Sequence, residues 1–224
     1  MRNLPALLAL SAALALPLSA GAAAGDPDIS KVNGGITVEA SGRQGDLNTV
    51  NGSIRIGGSA RVGSAETVNG SIHVGDSVQA GGLGAVNGSI RLGRNVTVNG
   101  GIETVNGSIF VDRGGNIREG VSTVNGGIGL VDTDVAGRIE TVSGDVTVGV
   151  GSHVRGGIHY EKPGKIWFST RQRDPRVVIG PNARVDGPLV FERKVELLVH
   201  RSAVIGAVTG ATAVRFDTPT PPAR

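Results

Sequence analysis

Val50-Asn51-Gly52-Ser53-Ile54-Arg55, Ile56-Gly57-Gly58-Ser59-Ala60-Arg61 and Val62-Gly63-Ser64-Ala65-Glu66-Thr67 are three consecutive hexads, after which Val68-Asn69-Gly70 begins the series again. The same triplet stands at Val32, Val50, Val68, Val86, Val105 and Val124, with a degenerate copy at Val142-Ser143-Gly144. Its spacings are 18, 18, 18, 19, 19 and 18 residues. Phase kept over seven copies marks a repeat architecture in which each unit buries its apolar side only against its neighbours.

Three hexads per period give a coil with three short sides. Within a hexad the first and fifth residues are aliphatic, and this places them inward; Gly or Asn-Gly at the second position is read as the corner, where left-handed backbone angles favour Gly and Asn. Segments such as Ile54-Arg55-Ile56, Ile72-His73-Val74 and Ile90-Arg91-Leu92 alternate apolar, variable, apolar, the period-2 pattern of a half-buried strand. Stacked, their isoleucines form one internal ladder, and Leu47, Ala65, Leu83, Ile102, Val121 and Ile139 form another. The reading is all-β: a single-stranded triangular β-helix of about ten coils of 18 or 19 residues over residues 25–216. Residues 169–176 read as a polar loop insertion and residues 217–224, with three prolines, as a disordered tail.

The composition agrees with thin aliphatic layers closed by tight turns: 37 of 224 residues are Gly, 39% are hydrophobic and 3% are aromatic. There is no Cys, which removes disulfides and thiolate metal sites. Residues 1–24 have the layout of a secretory signal peptide: Arg2, an apolar stretch over residues 4–18, and small residues before a cleavage point between Ala22 and Ala24. Two prolines and the short length argue against a membrane span, and no second apolar stretch of that length follows. The expectation is therefore an exported chain, periplasmic or extracellular, with no transmembrane segment once processed. Net charge is +3, split between −4 over residues 25–150 and +6 over residues 151–224. That asymmetry suits head-to-tail contact or an anionic surface.

At its Val-Asn-Gly-Ser-Ile repeats the chain resembles the adhesin-like β-strand-repeat domains of exported bacterial proteins, with their T-V-N-G-x-I pattern. From residue 179 to residue 210, opening Ile179-Gly180-Pro181-Asn182-Ala183-Arg184, it looks like the bactofilins, a polymer-forming cytoskeletal family. Both resemblances imply a right-handed solenoid; the hexads alone fit the left-handed helix of hexapeptide acyltransferases equally. The signal peptide departs from the cytoplasmic bactofilins.

Two surfaces carry candidate function. Thr37, Arg55, His73, Arg91 and Phe110 fall at equivalent outward positions of successive coils, so Arg55, His73 and Arg91 make a basic column that suits an acidic glycan, unless Glu66 and Glu103 neutralise it. Tyr160, with Ile166-Trp167-Phe168, precedes Arg171, Arg173 and Arg176; the aromatics fit either a sugar or partner site or a plug between two solenoid segments. His73, His153, His159 and His200 show no recognisable partner for the general base of an acyltransferase. Asp112, Asp132, Asp134 and Asp145 read as solvent-facing turn residues rather than the paired carboxyls of a glycosidase. No cofactor-binding or metal-binding pattern is present, and the basic residues form no sustained patch for nucleic acid. The Asn-Gly-Ser triplets match a glycosylation acceptor, yet stacked asparagines one coil apart explain them as a hydrogen-bonded ladder. The functional expectation is a non-catalytic structural or adhesin-like module that binds an anionic cell-envelope polysaccharide or self-associates. The alternative is a carbohydrate-active or acyl-transfer enzyme on the same scaffold.

Overall fold

The computed structural model describes residues 25–162 and 173–223. Among the described residues twenty-nine short strands and no helix build a β-solenoid of about ten coils. The first coil sets the plan with β1 (Ile29–Asn33), β2 (Ile36–Val38) and β3 (Arg43–Gln44). Each later coil repeats a five-residue, a three-residue and a two-residue strand until residue 154, and parallel pairing stacks them into walls of ten, ten and nine strands. At about 4.8 Å per coil the rod is about 45 Å long. The signal-peptide reading of residues 1–24 lies outside the described residues.

Both expected ladders are present. Leu47, Ala65, Leu83, Ile102, Val121 and Ile139 pair in register and are at most 1% exposed on the first wall. Ile36, Ile54, Ile72, Ile90, Ile109 and Ile128 pair likewise on the second wall and are at most 2% exposed. Each buried aliphatic contributes about 1.5–3 kcal/mol relative to exposure, so the rod is stabilised coil by coil.

The marker triplet itself works differently from the expectation. In Leu47-Asn48-Thr49-Val50-Asn51 the second inward side chain is Thr49, and Val50 faces outward. Strand alternation fixes this: once Leu47 points in, Thr49 must, and Val50 cannot. Thr49, Thr67, Thr104 and Thr123 are at most 3% exposed, and each donates its hydroxyl to the carbonyl of the corner glycine one coil back, at Gly34, Gly52, Gly88 and Gly107, over 2.8–3.1 Å. A buried carbonyl without a partner is costly, so an inward threonine is the better choice here. Ala85 breaks the column between Thr67 and Thr104. Ala85→Thr should therefore raise the stability by about 0.5–1 kcal/mol, visible as a higher urea midpoint; a lower midpoint would show that the hydroxyl does not find the Gly70 carbonyl.

The Asn-Gly corner is also not left-handed at its asparagines. Those side chains form a ladder in which Asn51, Asn69, Asn87, Asn106 and Asn125 each donate to the preceding asparagine over 3.0–3.1 Å. Glycine follows them for lack of space: a Cβ at Gly88 would lie 1.8 Å from the Gly70 oxygen. Positive φ occurs at that corner only at its glycines Gly34, Gly126 and Gly144, whereas left-handed residues other than glycine sit at the corner between second and third walls, in a column that runs Ser41, Ser59, Ser77, Asn95, Gly114, Asp132, Gly151, Asn182, with φ between 45° and 75°.

After Tyr160 the walls continue, and the next strand of the second wall is Arg176–Ile179. Arg176 is the first residue of a strand rather than the last of a loop, and residues 169–172 of the expected insertion lie outside the described residues. Of the Pro-rich end, the Pro222 carbonyl accepts a hydrogen bond from Arg176 Nη2 at 2.7 Å.

Candidate functional site

Register decides which outward side chains meet. On the second wall Thr37, Arg55, His73, Arg91 and Phe110 are paired one to the next, so the expected column exists. Arg55, His73 and Arg91 are exposed, and the Arg91 guanidinium carbon stands 5.4 Å from the centre of the Phe110 ring. That contact holds the guanidinium while leaving its donors free, since a ring face accepts charge and no N–H need be consumed. Among the described residues no carboxylate lies within ion-pair distance of Arg55 or Arg91. Arg43 and Arg61 stack on the adjoining third wall, likewise without an ion pair.

The acids that were candidates to neutralise this column are elsewhere. Glu66 and Glu103 belong to the first wall, in the outward series Asn48, Glu66, Gly84, Glu103, Ser122, Glu140, His159. Glu119 and Glu161 border the same shallow groove. Partial burial and the nearby Glu140, Glu119 and Glu66 carboxylates push the Glu103 carboxyl above the usual range. Burial does the same to Glu161, opposed by His159. Because these acids bind protons more tightly folded than unfolded, their effect on stability becomes less favourable as pH rises through the carboxylate range. Sequence reasoning missed this wall, although the residue after each inward Leu, Ala or Ile, as in Ala65-Glu66 and Ile102-Glu103, carried the signal.

The second candidate surface lies only partly within the described residues. Tyr160 is 0% exposed; it takes the threonine position of its column, and its hydroxyl donates to Gly144 O at 2.8 Å. It is core, stacked 5.6 Å from Phe191 of the following coil, and cannot face a ligand. Arg176 is held by Glu196 at 3.0 Å and by Pro222, and Arg173 lies 3.4 Å from Asp145. Both cations are engaged within the chain. Trp167 and Arg171 lie outside the described residues.

Two histidines thought to lack partners have them. His153 Nε2 is 2.7 Å from Asp186, with Asp134 at 3.7 Å on its other side, and His159 Nε2 is 3.3 Å from Glu192. Hydrogen bonds from Arg184 and His153 hold the Asp186 carboxyl below its usual range. These pairs tie successive coils together along the outside of the rod. His200 is 8% exposed and shares a hydrogen with Ser202 Oγ across 2.8 Å. Asp134 lies on the third wall, whereas Asp145, at the corner between first and second walls, accepts the Arg176 backbone N–H at 2.8 Å. Among the described residues no three His, Asp or Glu side chains are grouped to hold a metal ion. No helix among them is long and apolar enough to cross a membrane.

The walls thus carry separate chemistry: carboxylates on the first, arginines and a histidine on the second. No protein-family model matches the chain, and neither does any curated protein or solved structure.

Proposed function

We propose that this protein is an exported, non-catalytic β-solenoid that lays its second wall along an acidic cell-envelope polysaccharide. The observation that carries the reading is the column Arg55, His73, Arg91, held in register on the second wall with no carboxylate among the described residues within ion-pair distance of either arginine, although Glu39 borders the same depression. The two arginines stand two coils, about 10 Å, apart and repel one another, and a polymer with regularly spaced carboxylates relieves that repulsion along its length. The leader-like residues 1–24 and the resemblance to adhesin-like repeats support export, and an envelope polymer is the anion such a chain meets. Cytoskeletal polymerisation, the bactofilin expectation, draws no support from this wall.

Calorimetric titration with polygalacturonate, a polymer of uronic acid, tests the reading. Arg55→Ala with Arg91→Ala should weaken binding at least about tenfold, as expected for two charge-assisted contacts, with unchanged thermal unfolding because both side chains are solvated. Raising salt should weaken the wild type further, since exposed pairs are screened within about 8 Å at physiological ionic strength. Binding of undiminished strength in the double variant would refute the proposal.

A further inference from the structure

Both ends of the rod place a cation where the inner coils have an uncharged side chain, threonine, alanine, tyrosine or phenylalanine in one column and an aliphatic in the other. Lys31 pairs with Thr49 and so stands in the inward column of the first wall. Its ammonium donates to Gly35 O at 2.8 Å. The carbonyls equivalent to Gly35 in later coils, at Ser53, Ser71 and Ser89, receive a backbone N–H from the preceding coil, from Ile36, Ile54 and Ile72. The first coil has no described coil before it, and Lys31 supplies the missing donor.

The other end repeats the device. Arg215 pairs with Val199, a fully buried residue, and so extends an inward column of the second wall. Its Nη1 lies 3.3 Å from the carbonyls of His200 and Ala203. The carbonyls equivalent to Ala203, at Ala60, Val78 and Ala183, accept the N–H of Gln79, Thr97 and Val204 from the following coil. The third wall stops one strand short of the others, and Arg215 fills the place of the strand it lacks.

Without these cations the first and second walls match at the two ends. In a head-to-tail pair continuing those two walls, Ala213 N–H of one copy is in register for Gly35 O of the next, while the third wall, which ends one coil earlier, leaves the place of a single strand between Ala203 O of one copy and Arg43 N–H of the next. Such a pair would strip water from Lys31 and Arg215 together and put two positive charges into an aliphatic core, which is strongly unfavourable. Inward charge at an unpaired edge is a known means of blocking strand addition. Asp26 and Asp28 belong to the third-wall rim, where Asp28 accepts the Asp46 N–H at 2.7 Å, so they do not pair with either cation within the chain. We infer that the first and second walls at the ends of this rod are complementary to those of a second copy of the same chain and that Lys31 and Arg215 keep them apart, fixing the rod at one chain length.

Electron microscopy and sedimentation of the purified protein at rising concentration test this. Wild type should stay as single rods. Lys31→Thr with Arg215→Val, which continues the columns, should give fibres whose length grows with concentration, with the circular dichroism of the wild type. The charge-preserving pair Lys31→Arg with Arg215→Lys should remain single. Lys31→Gln with Arg215→Gln keeps a donor for each carbonyl without the charge, and should also form fibres if the first pair fails to fold. Fibres from the wild type, or single rods from a folded, charge-free double variant, would overturn the inference.

Discussion

Gly88→Ala is expected to destabilise the rod by about 3 kcal/mol or more, although it adds one methyl group. The Cβ would stand 1.8 Å from the Gly70 carbonyl oxygen and 2.5 Å from its carbon. Both atoms are backbone, anchored between coils by the Asn87 carbonyl accepting from Gly70 N at 3.2 Å and by the asparagine ladder beside it. The clash is relieved only by prising two coils apart, which breaks their shared hydrogen bonds and opens the aliphatic layer beneath. Gly82→Ala is the internal control. Its nearest contacts would be 3.7 Å away, so a change within about 0.5 kcal/mol is expected. Urea denaturation of both variants separates a steric requirement from a general intolerance of glycine loss; equal losses at the two positions would rule out the steric account.

Tyr160→Ala should cost about 4 kcal/mol and Tyr160→Phe about 1 kcal/mol, measured the same way. The ring is fully buried beside Phe191, so its removal leaves a cavity that thin layers of valine and isoleucine cannot refill. The phenol hydroxyl contributes one hydrogen bond, to Gly144, in the manner of the threonines of the preceding coils. Burial, with Asp145 nearby, pushes its ionisation well above the ordinary phenol range, so it remains a donor throughout. Were the phenylalanine variant to lose as much as the alanine one, the hydrogen bond rather than the packing would dominate that junction.

The coil length, the three walls and both aliphatic ladders were legible because a solenoid writes its geometry into the period: each inward position recurs every 18 or 19 residues. What a triplet does within the coil was less legible. Val-Asn-Gly is conspicuous, and the hexad placed Val50 inward, but strand alternation runs from Leu47 and turns Thr49 inward instead. Left-handed backbone was expected at Asn-Gly because those residues tolerate it; it occurs there only at Gly34, Gly126 and Gly144, and the left-handed column at another corner includes Ser41, Ser59 and Ser77, which nothing in Gly-Ser-Ala or Asp-Ser-Val announces.

The candidate site was half legible. Column alignment alone found Arg55, His73 and Arg91, since equivalent positions in a repeat must stack. Reading charge by halves of the chain hid the rest: the rod sorts much of its charge by wall, so residues with net −4 over 25–150 still present an arginine column without an ion pair. Tyr160 was legible as either a ligand-facing aromatic or a plug, and the register decides for packing by placing it in a threonine's position.

The measurement that bears most directly on the account compares polygalacturonate binding between two charge changes on different walls. Arg55→Glu with Arg91→Glu alters the second wall, and Glu66→Gln with Glu103→Gln alters the first. If the walls act separately, the first pair abolishes binding and the second leaves it as tight as the wild type or tighter. If instead net charge alone draws the polymer, the binding will follow total charge whichever wall is altered, and strong binding by the Arg55→Glu, Arg91→Glu protein would contradict the claim that the second wall is the site.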